Sequence, residues 1–315
     1  FRSGNRTDYK RALKGRAQSL LYKKKYEKSL SDLDKIIEMG FIDSEVHLLR
    51  ARIYHNKGEF KKAIEDTEEA IKKYSKDDIY SCLLKRNEYI LIGAYLIKGF
   101  SYLKLEKFDK AIEEYNKTIQ LSPDNFISYA GRGLIYFKQG KLEKAMADCT
   151  KSIALNPKRW MSYYPLGLIY YLFHSFGKAE SDFNKSVQLD KEKEEYNHAQ
   201  LFLYLARKRA GKNGKKELVK FKSELKDDEW MSSLIDMFLG DITSDKLLSS
   251  ISGENEEENK LKRCEAYYYI GQKYLIDDNI EKAKEYLEMG LETGMKDSFQ
   301  YILSKVQLKL MAEQR

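Results

Sequence analysis

Several residue types in this sequence recur together at intervals of 34 residues. Glycine, alanine and tyrosine each recur three times at this step. The recurring positions are Gly99, Gly133 and Gly167; Ala111, Ala145 and Ala179; Tyr102, Tyr136 and Tyr170; and Tyr95, Tyr129 and Tyr163. Pro123 and Pro157 follow the same step. A fixed period of this length, kept by several positions at once, predicts one structural unit that is repeated along the chain.

These residues resemble the tetratricopeptide repeat (TPR), a helix-turn-helix unit of 34 residues. Small residues such as Gly99 and Ala111 would let the two helices of a unit approach closely. Pro123 and Pro157 would end the second helix, because proline lacks an N–H and disfavours helix in the preceding residue. Only 3 residues are proline, so long helices are free to form. The resemblance implies an all-α fold, a right-handed superhelical solenoid of TPR helix-turn-helix repeats.

The same register predicts the organisation of the rest of the chain. Ala17 and Ala51 continue it towards the N-terminus, and Ala283 restores it near the C-terminus. The step from Ala63 to Ala111 is 48 residues, 14 more than one period, which predicts an insertion that lengthens the helices there. We therefore expect two divergent TPR units in 1–77, the insertion in 78–91, three well-formed units in 92–193, degenerate helical repeats in 194–263, and a TPR unit with a capping helix in 264–315.

The C-terminal third carries a second resemblance. Trp230, the Phe238–Leu239–Gly240 turn and the run from Tyr268 to Gly271 occur in the order typical of the bacterial new lipoprotein I (NlpI-like) family. This resemblance implies a homodimeric bacterial envelope adaptor that brings a periplasmic protease together with cell-wall hydrolases. The lipid-bearing N-terminal cysteine of that family has no counterpart in this sequence, so these residues do not predict membrane anchoring.

The first helices of stacked TPR units line a concave face. At the positions that face it, the three best units carry a stripe of apolar and aromatic residues, which predicts a groove for an extended peptide or a helix of a partner protein. The predicted partner-binding residues are Leu96, Phe100, Leu103, Ala130, Leu134, Phe137, Tyr164, Leu168 and Tyr171. Two interpretations stay open: the groove receives partners, or it is filled by the chain's own helix at about 298–312 or by a second copy.

No spacing in the sequence predicts a catalytic, metal or cofactor site. The three cysteines, Cys82, Cys149 and Cys264, form no CxxC pair, and the histidines lack metal-ligand spacing. Walker, Rossmann and GxSxG patterns do not occur. No apolar run reaches the roughly 18 residues that a membrane span needs. We therefore expect a non-enzymatic protein with no metal, no cofactor and no transmembrane segment.

The net charge and the first residue leave more than one partner class and more than one cellular compartment open. The net charge is +8, and a basic run at 207–222 would suit RNA, anionic lipid or an acidic partner, although a solvated loop is the favoured interpretation. Nucleic acid is thus the less favoured partner, and a cytoplasmic TPR assembly factor or chaperone is the main alternative to an envelope adaptor. The chain begins with Phe1, which suits a removed signal peptide or a missing N-terminal piece. We expect a periplasmic or outer-membrane-associated protein if the NlpI-like resemblance holds, and a cytoplasmic one otherwise.

Overall fold

A computed structural model describes residues 2–41, 43–74, 86–189, 194–225 and 228–313. These residues form 17 α-helices, one short 3-10 helix and no β-strand. The all-α repeat fold predicted from the period is therefore confirmed. The chain divides into two compact units, Phe1–Ile135 (unit 1) and Tyr136–Arg315 (unit 2).

Unit 1 is built from helical hairpins. Its helices are α1 (Arg2–Tyr22), α2 (Tyr26–Glu38), α3 (Ser44–Asn56), α4 (Phe60–Lys72), α5 (Arg86–Lys104), α6 (Phe108–Leu121) and the greater part of α7 (Phe126–Lys138). The first helix of each hairpin packs on the second, α1 on α2, α3 on α4 and α5 on α6, and α3 also contacts α5. Helix α5 has 19 residues where α3 has 13, and its extra turns begin within the predicted insertion. The rest of that insertion before residue 86, with Cys82, lies outside the described residues.

Unit 2 continues with hairpins and then a less regular section. Its helices are α8 (Leu142–Leu155), α9 (Tyr163–Leu172), α10 (Phe176–Leu189), α11 (Glu194–Arg209), α12 (Lys215–Glu224), α13 (Glu229–Leu239), α14 (Ser244–Ser249), α15 (Glu256–Ile276), α16 (Ile280–Glu292) and α17 (Phe299–Glu313). Helix α17 packs on both α15 and α16. The short helices α12 to α14 fall in the region predicted as degenerate repeats. Pro165 lies in the first turn of α9, where its missing N–H removes no helical hydrogen bond.

Six hairpins turn on a residue with a positive φ at the same position of the repeat. These residues are Lys24, Gly58, Glu106, Gly140, His174 and Asp278. After each one the next N–H donates back to a carbonyl five residues earlier, as from Lys141 to Tyr136 at 2.8 Å. This is the bond that closes a helix C-terminus through a left-handed residue. Glycine adopts this conformation without strain at two of the six turns, and the other four accept a cost of about 1–2 kcal/mol.

Aromatic rings of the second helices lie directly against glycines of the first helices. A Cβ atom added to Gly99 would lie 2.9 Å from the Tyr115 ring, and one added to Gly167 would lie 2.8 Å from the Phe183 ring. Gly131 also contacts Tyr115, at 2.5 Å for an added Cβ. No real Cβ fits at such distances, so these glycines are what allow the helices to pack around buried rings.

Candidate partner-binding surface

The accessible part of the predicted stripe lies in unit 1. Leu96, Phe100 and Leu103 are half-buried on α5 and pack at the edge of a cluster that contains Tyr115. The Phe100 ring meets the Tyr115 ring edge-on, with centroids 5.7 Å apart. Each of these three side chains therefore keeps an exposed apolar face while its other face is anchored in the core.

An open pocket of about 310 Å³ lies beside this stripe on the first helices of unit 1. It is lined by Lys14, Gln18, Leu21, Tyr22, Glu45, Leu48, Leu49, Arg52 and Tyr89. Lys14 forms an ion pair with Glu45, which neutralises both charges. Arg52 forms no ion pair with any residue that the structure describes in unit 1. The pocket thus offers an apolar floor and one available guanidinium.

Two exposed tyrosines border the pocket. Tyr22 is 82% exposed and Tyr89 is 62% exposed, which makes them the two most exposed large apolar side chains among the described residues. An exposed tyrosine offers a partner both an apolar ring and a hydroxyl group, and tyrosine is enriched in protein-binding surfaces. Tyr22, Arg52 and Tyr89 are not among the partner-binding residues predicted from the sequence, although Arg52 occupies a groove position of the second repeat. Tyr89 lies in the predicted insertion, so the repeat register gave no signal for it.

His55 joins the first helices α3 and α5 beneath the stripe. Its Nδ1 lies 3.0 Å from Ser101 Oγ, and its ring lies 6.2 Å from the Phe100 ring. Burial lowers the pKa of His55, and the nearby Lys104 ammonium lowers it further. His55 is therefore neutral at pH 7, so it adds no charge to the surface.

The remaining predicted groove residues are less accessible. In unit 1, Leu134 is half-buried and Ala130 is buried. In unit 2, Phe137, Tyr164, Leu168 and Tyr171 are all buried in the core, where none exceeds 3% exposure. The partner-binding role predicted for these buried residues stays a prediction, and it would require the helices that cover them to move.

The chain's own C-terminal helices cover the stripe in unit 2. The Phe299 ring at the start of α17 lies 6.1 Å from both the Phe137 ring and the Tyr164 ring. The Tyr171 ring lies 5.8 Å from the Phe202 ring of α11. Of the two interpretations that the sequence left open, self-occupation is the one found in unit 2.

A buried chain of hydrogen bonds holds α17 in place over α9. The Tyr171 hydroxyl donates to Gln272 Oε1 at 2.9 Å, and Gln272 Nε2 donates to Gln307 Oε1 at 2.8 Å. The bonds link α9, α15 and α17 through three buried side chains. Buried polar groups are costly unless paired, so this arrangement favours one alignment of the three helices.

Helix α17 borders a second concave surface within unit 2. The pocket has a volume of about 710 Å³, with Leu142 and Phe173 on one side and Ile302, Val306 and Leu310 of α17 on the other. Lys296, Lys305 and Lys309 stand around its edge together with Glu143 and Glu313. Lys138 also lines the pocket, so basic side chains outnumber acidic ones by four to two and the pocket has a small excess of positive charge.

Half of the eight basic side chains in the run at 207–222 form ion pairs with residues that the structure describes. Arg207 and Lys212 both bind Glu180, at 3.0 and 2.7 Å, and Lys222 forms an ion pair with Asp236. Paired cations attract phosphate groups weakly, because releasing them costs the existing ion pair. The ion-paired half of this run therefore gives little support to RNA binding.

The described residues hold no group of three or more His, Cys, Asp or Glu side chains placed to bind a metal ion. Cys149 is buried, and burial raises its pKa to about 12, so it is a protonated core thiol. Cys264 is likewise buried. Among the helices that the structure describes, none is long and apolar enough to cross a membrane.

Family models and solved structures show which known repeats this chain resembles. Models of the TPR repeat match residues 14–78, 99–140 and 126–159. No curated protein sequence matches the chain. The PilF protein of Pseudomonas aeruginosa is similar in structure, with a TM-score of 0.53 and 16% identity over 70% of this chain and 93% of its own. A TPR protein from Parabacteroides merdae has a TM-score of 0.52 and 18% identity over 84% of this chain and 98% of its own.

At these identities the similarity concerns the fold alone, and it does not extend to what PilF or the other protein binds. The helical fold, the left-handed turn that recurs at one position of the repeat and the matched family models all indicate tetratricopeptide repeats. They bear on the repeat and not on the NlpI-like family. The chain is a tetratricopeptide-repeat protein.

Proposed function

We propose that this chain is a non-enzymatic scaffold that binds a peptide or helix segment of a partner protein on the first helices of unit 1. Tetratricopeptide repeats indicate a scaffold for protein–protein interaction. The surface proposed here comprises the stripe of Leu96, Phe100 and Leu103 with the adjoining pocket that contains Arg52 and Tyr89. The single observation that carries this proposal is that the stripe is accessible in unit 1, whereas its counterpart in unit 2 is covered by α11 and α17.

The chemistry of the surface suggests the kind of segment it would bind. Apolar faces on Leu96, Phe100 and Leu103 suit aliphatic or aromatic anchors at helical or extended spacing. Arg52 suits a carboxylate next to those anchors, because its guanidinium is the available charge in the pocket. Lys14 is already paired with Glu45, so it would contribute less.

We further propose that the partners are a periplasmic protease and cell-wall hydrolases, and that the chain works as a homodimer in the bacterial envelope. This part rests on the NlpI-like order of Trp230, Phe238–Gly240 and Tyr268–Gly271 in the sequence. In the structure, the Trp230 Nε1–H donates to Glu265 at 2.7 Å, and Gly240 closes α13 with a positive φ. Both residues therefore have structural roles that explain their presence without a shared function. A cytoplasmic assembly factor remains the alternative.

Affinity capture from the native source with paired variants tests the surface. The test variant is Arg52→Ala with Tyr89→Ala, because both side chains border the pocket and neither supports the core. The matched control is Val219→Ala, which removes an exposed apolar side chain (48% exposed) from α12 in unit 2. We expect the double variant to capture at least about tenfold less of the proteins that wild type and control capture. A tenfold loss of affinity corresponds to roughly 1.4 kcal/mol of binding free energy.

Equal recovery with all three proteins would show that the pocket is not the binding surface. If a protease and a wall hydrolase are the depleted proteins, the envelope proposal gains support. If the depleted proteins are cytosolic complexes, the scaffold proposal stands and the envelope proposal fails.

A further inference from the structure

A base and an acid recur at fixed positions of the repeat in this chain. When each repeat is numbered so that Ala17, Ala51, Gly99, Gly133 and Gly167 occupy position 8, a base stands at position 7 and an acid at position 23 in four successive repeats. The four pairs in the sequence are Arg16 and Asp32, Arg50 and Asp66, Lys98 and Glu114, and Arg132 and Asp148. We call this arrangement the 7–23 pair.

The geometry of the 7–23 pair depends on the acid. In unit 1, Arg16 donates to both oxygens of Asp32 from Nε and Nη2, at 2.7 and 2.5 Å. Arg50 binds Asp66 in the same two-pronged way, at 2.7 Å for both bonds. A glutamate at position 23 is paired with a lysine instead, through one contact of 3.6 Å. An aspartate at this position in unit 1 is therefore matched to a guanidinium, whose planar fork fits both carboxylate oxygens.

The fifth repeat keeps the acid and lacks the base. Leu166 stands at position 7, and Asp182 stands at position 23. One carboxylate oxygen of Asp182, Oδ2, is buried without a hydrogen-bond partner, and no described residue forms an ion pair with this side chain. Burial raises the pKa of Asp182 to about 6, with no charged partner to counter it. An unpaired, partly buried carboxylate is unfavourable, and it contrasts with the paired acids at this position in unit 1.

The solvent side of Asp182 is open. A pocket of about 360 Å³ adjoins it, lined by Tyr163, Ser181, Asn184, Lys185 and Gln188. The ionisable groups near the carboxylate are Tyr163 at the start of α9, Lys185 on α10 and the buried Cys149 thiol of α8. Lys185 lines the pocket but forms no ion pair with Asp182.

In the first repeat the guanidinium lies on the solvent side of its acid. The side chain of Arg16 is 61% exposed, whereas that of Asp32 beneath it is 4% exposed. The guanidinium of Arg16 therefore reaches Asp32 without entering the core, and the open pocket beside Asp182 leaves a solvent path for a guanidinium from another molecule. The oxygens of Ser181, Asn184 and Gln188 offer acceptors for its remaining N–H groups.

We propose that the pocket at Asp182 binds an arginine side chain of a partner protein, which supplies the guanidinium that Leu166 has replaced in this repeat. Arginine is favoured over lysine because Asp32 and Asp66 are each bound by an arginine fork in unit 1. The site lies on α10 of unit 2 and uses none of the residues of the unit 1 surface, so either proposal can fail without the other.

Carboxyl ¹³C NMR of the full chain tests this directly, with Asp182→Asn used to assign the resonance. The probe is N-acetylarginine amide, and N-acetylcitrulline amide at equal ionic strength is the control because it keeps the shape and loses the charge. We expect the arginine compound to lower the pKa of Asp182 from about 6 towards its ordinary value near 4, and the citrulline compound to leave it unchanged. An equal response to both compounds, or to neither, would overturn the proposal.

A second variant supplies the missing base within the chain. Leu166→Arg is expected to lower the pKa of Asp182 without any probe and to abolish the response to N-acetylarginine amide. If Leu166→Arg fails to fold, the wild-type titration still decides the proposal. If Leu166→Arg folds and Asp182 still responds to the arginine compound, the pocket does not correspond to the incomplete 7–23 pair and the proposal fails. Self-association that is lost in Asp182→Asn would likewise overturn it, because the occupant would then be a second copy.

Discussion

Two buried tyrosines near each other in unit 2 differ in whether their hydroxyl groups form a hydrogen bond. The Tyr171 hydroxyl donates to Gln272, whereas the Tyr268 hydroxyl is buried without a partner among the described residues. Burial without a hydrogen bond costs free energy, while a made bond contributes only modestly because water offers the same bond in the unfolded chain. The two hydroxyls should therefore affect stability in opposite directions.

Substitution by phenylalanine separates these two cases. Tyr171→Phe should lower the free energy of unfolding by about 1–3 kcal/mol, because it leaves the Gln272 oxygen unpaired. Tyr268→Phe should leave it unchanged or raise it by up to about 1–2 kcal/mol. Urea denaturation followed by circular dichroism measures both. Equal destabilisation by the two changes would contradict the hydrogen-bond assignment.

At the scale of helices, contacts between successive first helices decide which parts of the stripe are accessible. In unit 1, α3 and α5 meet through His55, Ser101 and Phe100. In unit 2, α17 covers α9 through Phe299 and through the hydrogen bonds that end at Gln307. The junction of α3 and α5 is thus the place where solution conditions can affect the proposed surface.

The junction of α3 and α5 should be sensitive to acid. Because the pKa of His55 is lower in the folded chain than in the unfolded one, the unfolded chain binds more protons as pH falls below about 6.5. The contribution of neutral His55 to stability is complete above that pH and declines below it. At pH 5.5 the loss is at most about 1.4 kcal/mol, the value reached if the folded histidine stays neutral.

The comparison of wild type with His55→Gln at pH 7.5 and 5.5 isolates this effect, because other titrating groups such as Asp182 are common to both proteins. We expect the stability difference between the two to shift in favour of the glutamine variant as pH falls. A difference that is constant over this range would show that His55 does not titrate as its burial implies.

At the scale of the whole molecule, stability in a repeat array depends on how many neighbours each helix has. Among the described residues, helix α1 packs on α2 and α3 and leaves Tyr9 and Tyr22 more than half exposed. Helix α15 packs against helices on several sides and buries Tyr268, Tyr269 and Ile270 completely. Local opening should therefore be far easier in α1 than in α15.

Native-state hydrogen exchange with mass spectrometry would measure this gradient. Amides of α1 should exchange at least about tenfold faster than those of α15, a difference of roughly 1.4 kcal/mol or more in opening free energy. Within unit 1, α3 should be better protected than α1, because it has first-helix neighbours on both sides. Uniform protection across these three helices would mean that the array opens as one block.

The sequence alone was sufficient for the local architecture. Glycine and alanine at a period of 34 predicted helix pairs, and Gly99 against Tyr115 and Gly167 against Phe183 show the close packing expected of them. Such contacts join helices that are neighbours in sequence, so their spacing is visible in the residues themselves. The left-handed turns at Lys24, Glu106 and His174 were not predicted, because no glycine marks them.

Tertiary structure decided which residues of the stripe remain accessible. Leu103 and Phe137 occupy the same position of the repeat, yet Leu103 is half-buried and Phe137 is fully buried. A 34-residue register fixes the side of a helix on which a residue lies and nothing more. Burial of Phe137 by Phe299 depends on α17 returning to pack against residues far earlier in the chain.

The unpaired carboxylate of Asp182 likewise needed geometry to be recognised. The sequence gives Leu166 in place of a base, but only the structure shows that Oδ2 of Asp182 is buried without a hydrogen-bond partner. Helix pairing depends on residues close together in the chain, whereas burial depends on which distant helices pack over them. Short-range periodicity thus determined the repeat, and long-range contacts determined which of its surfaces are free to bind.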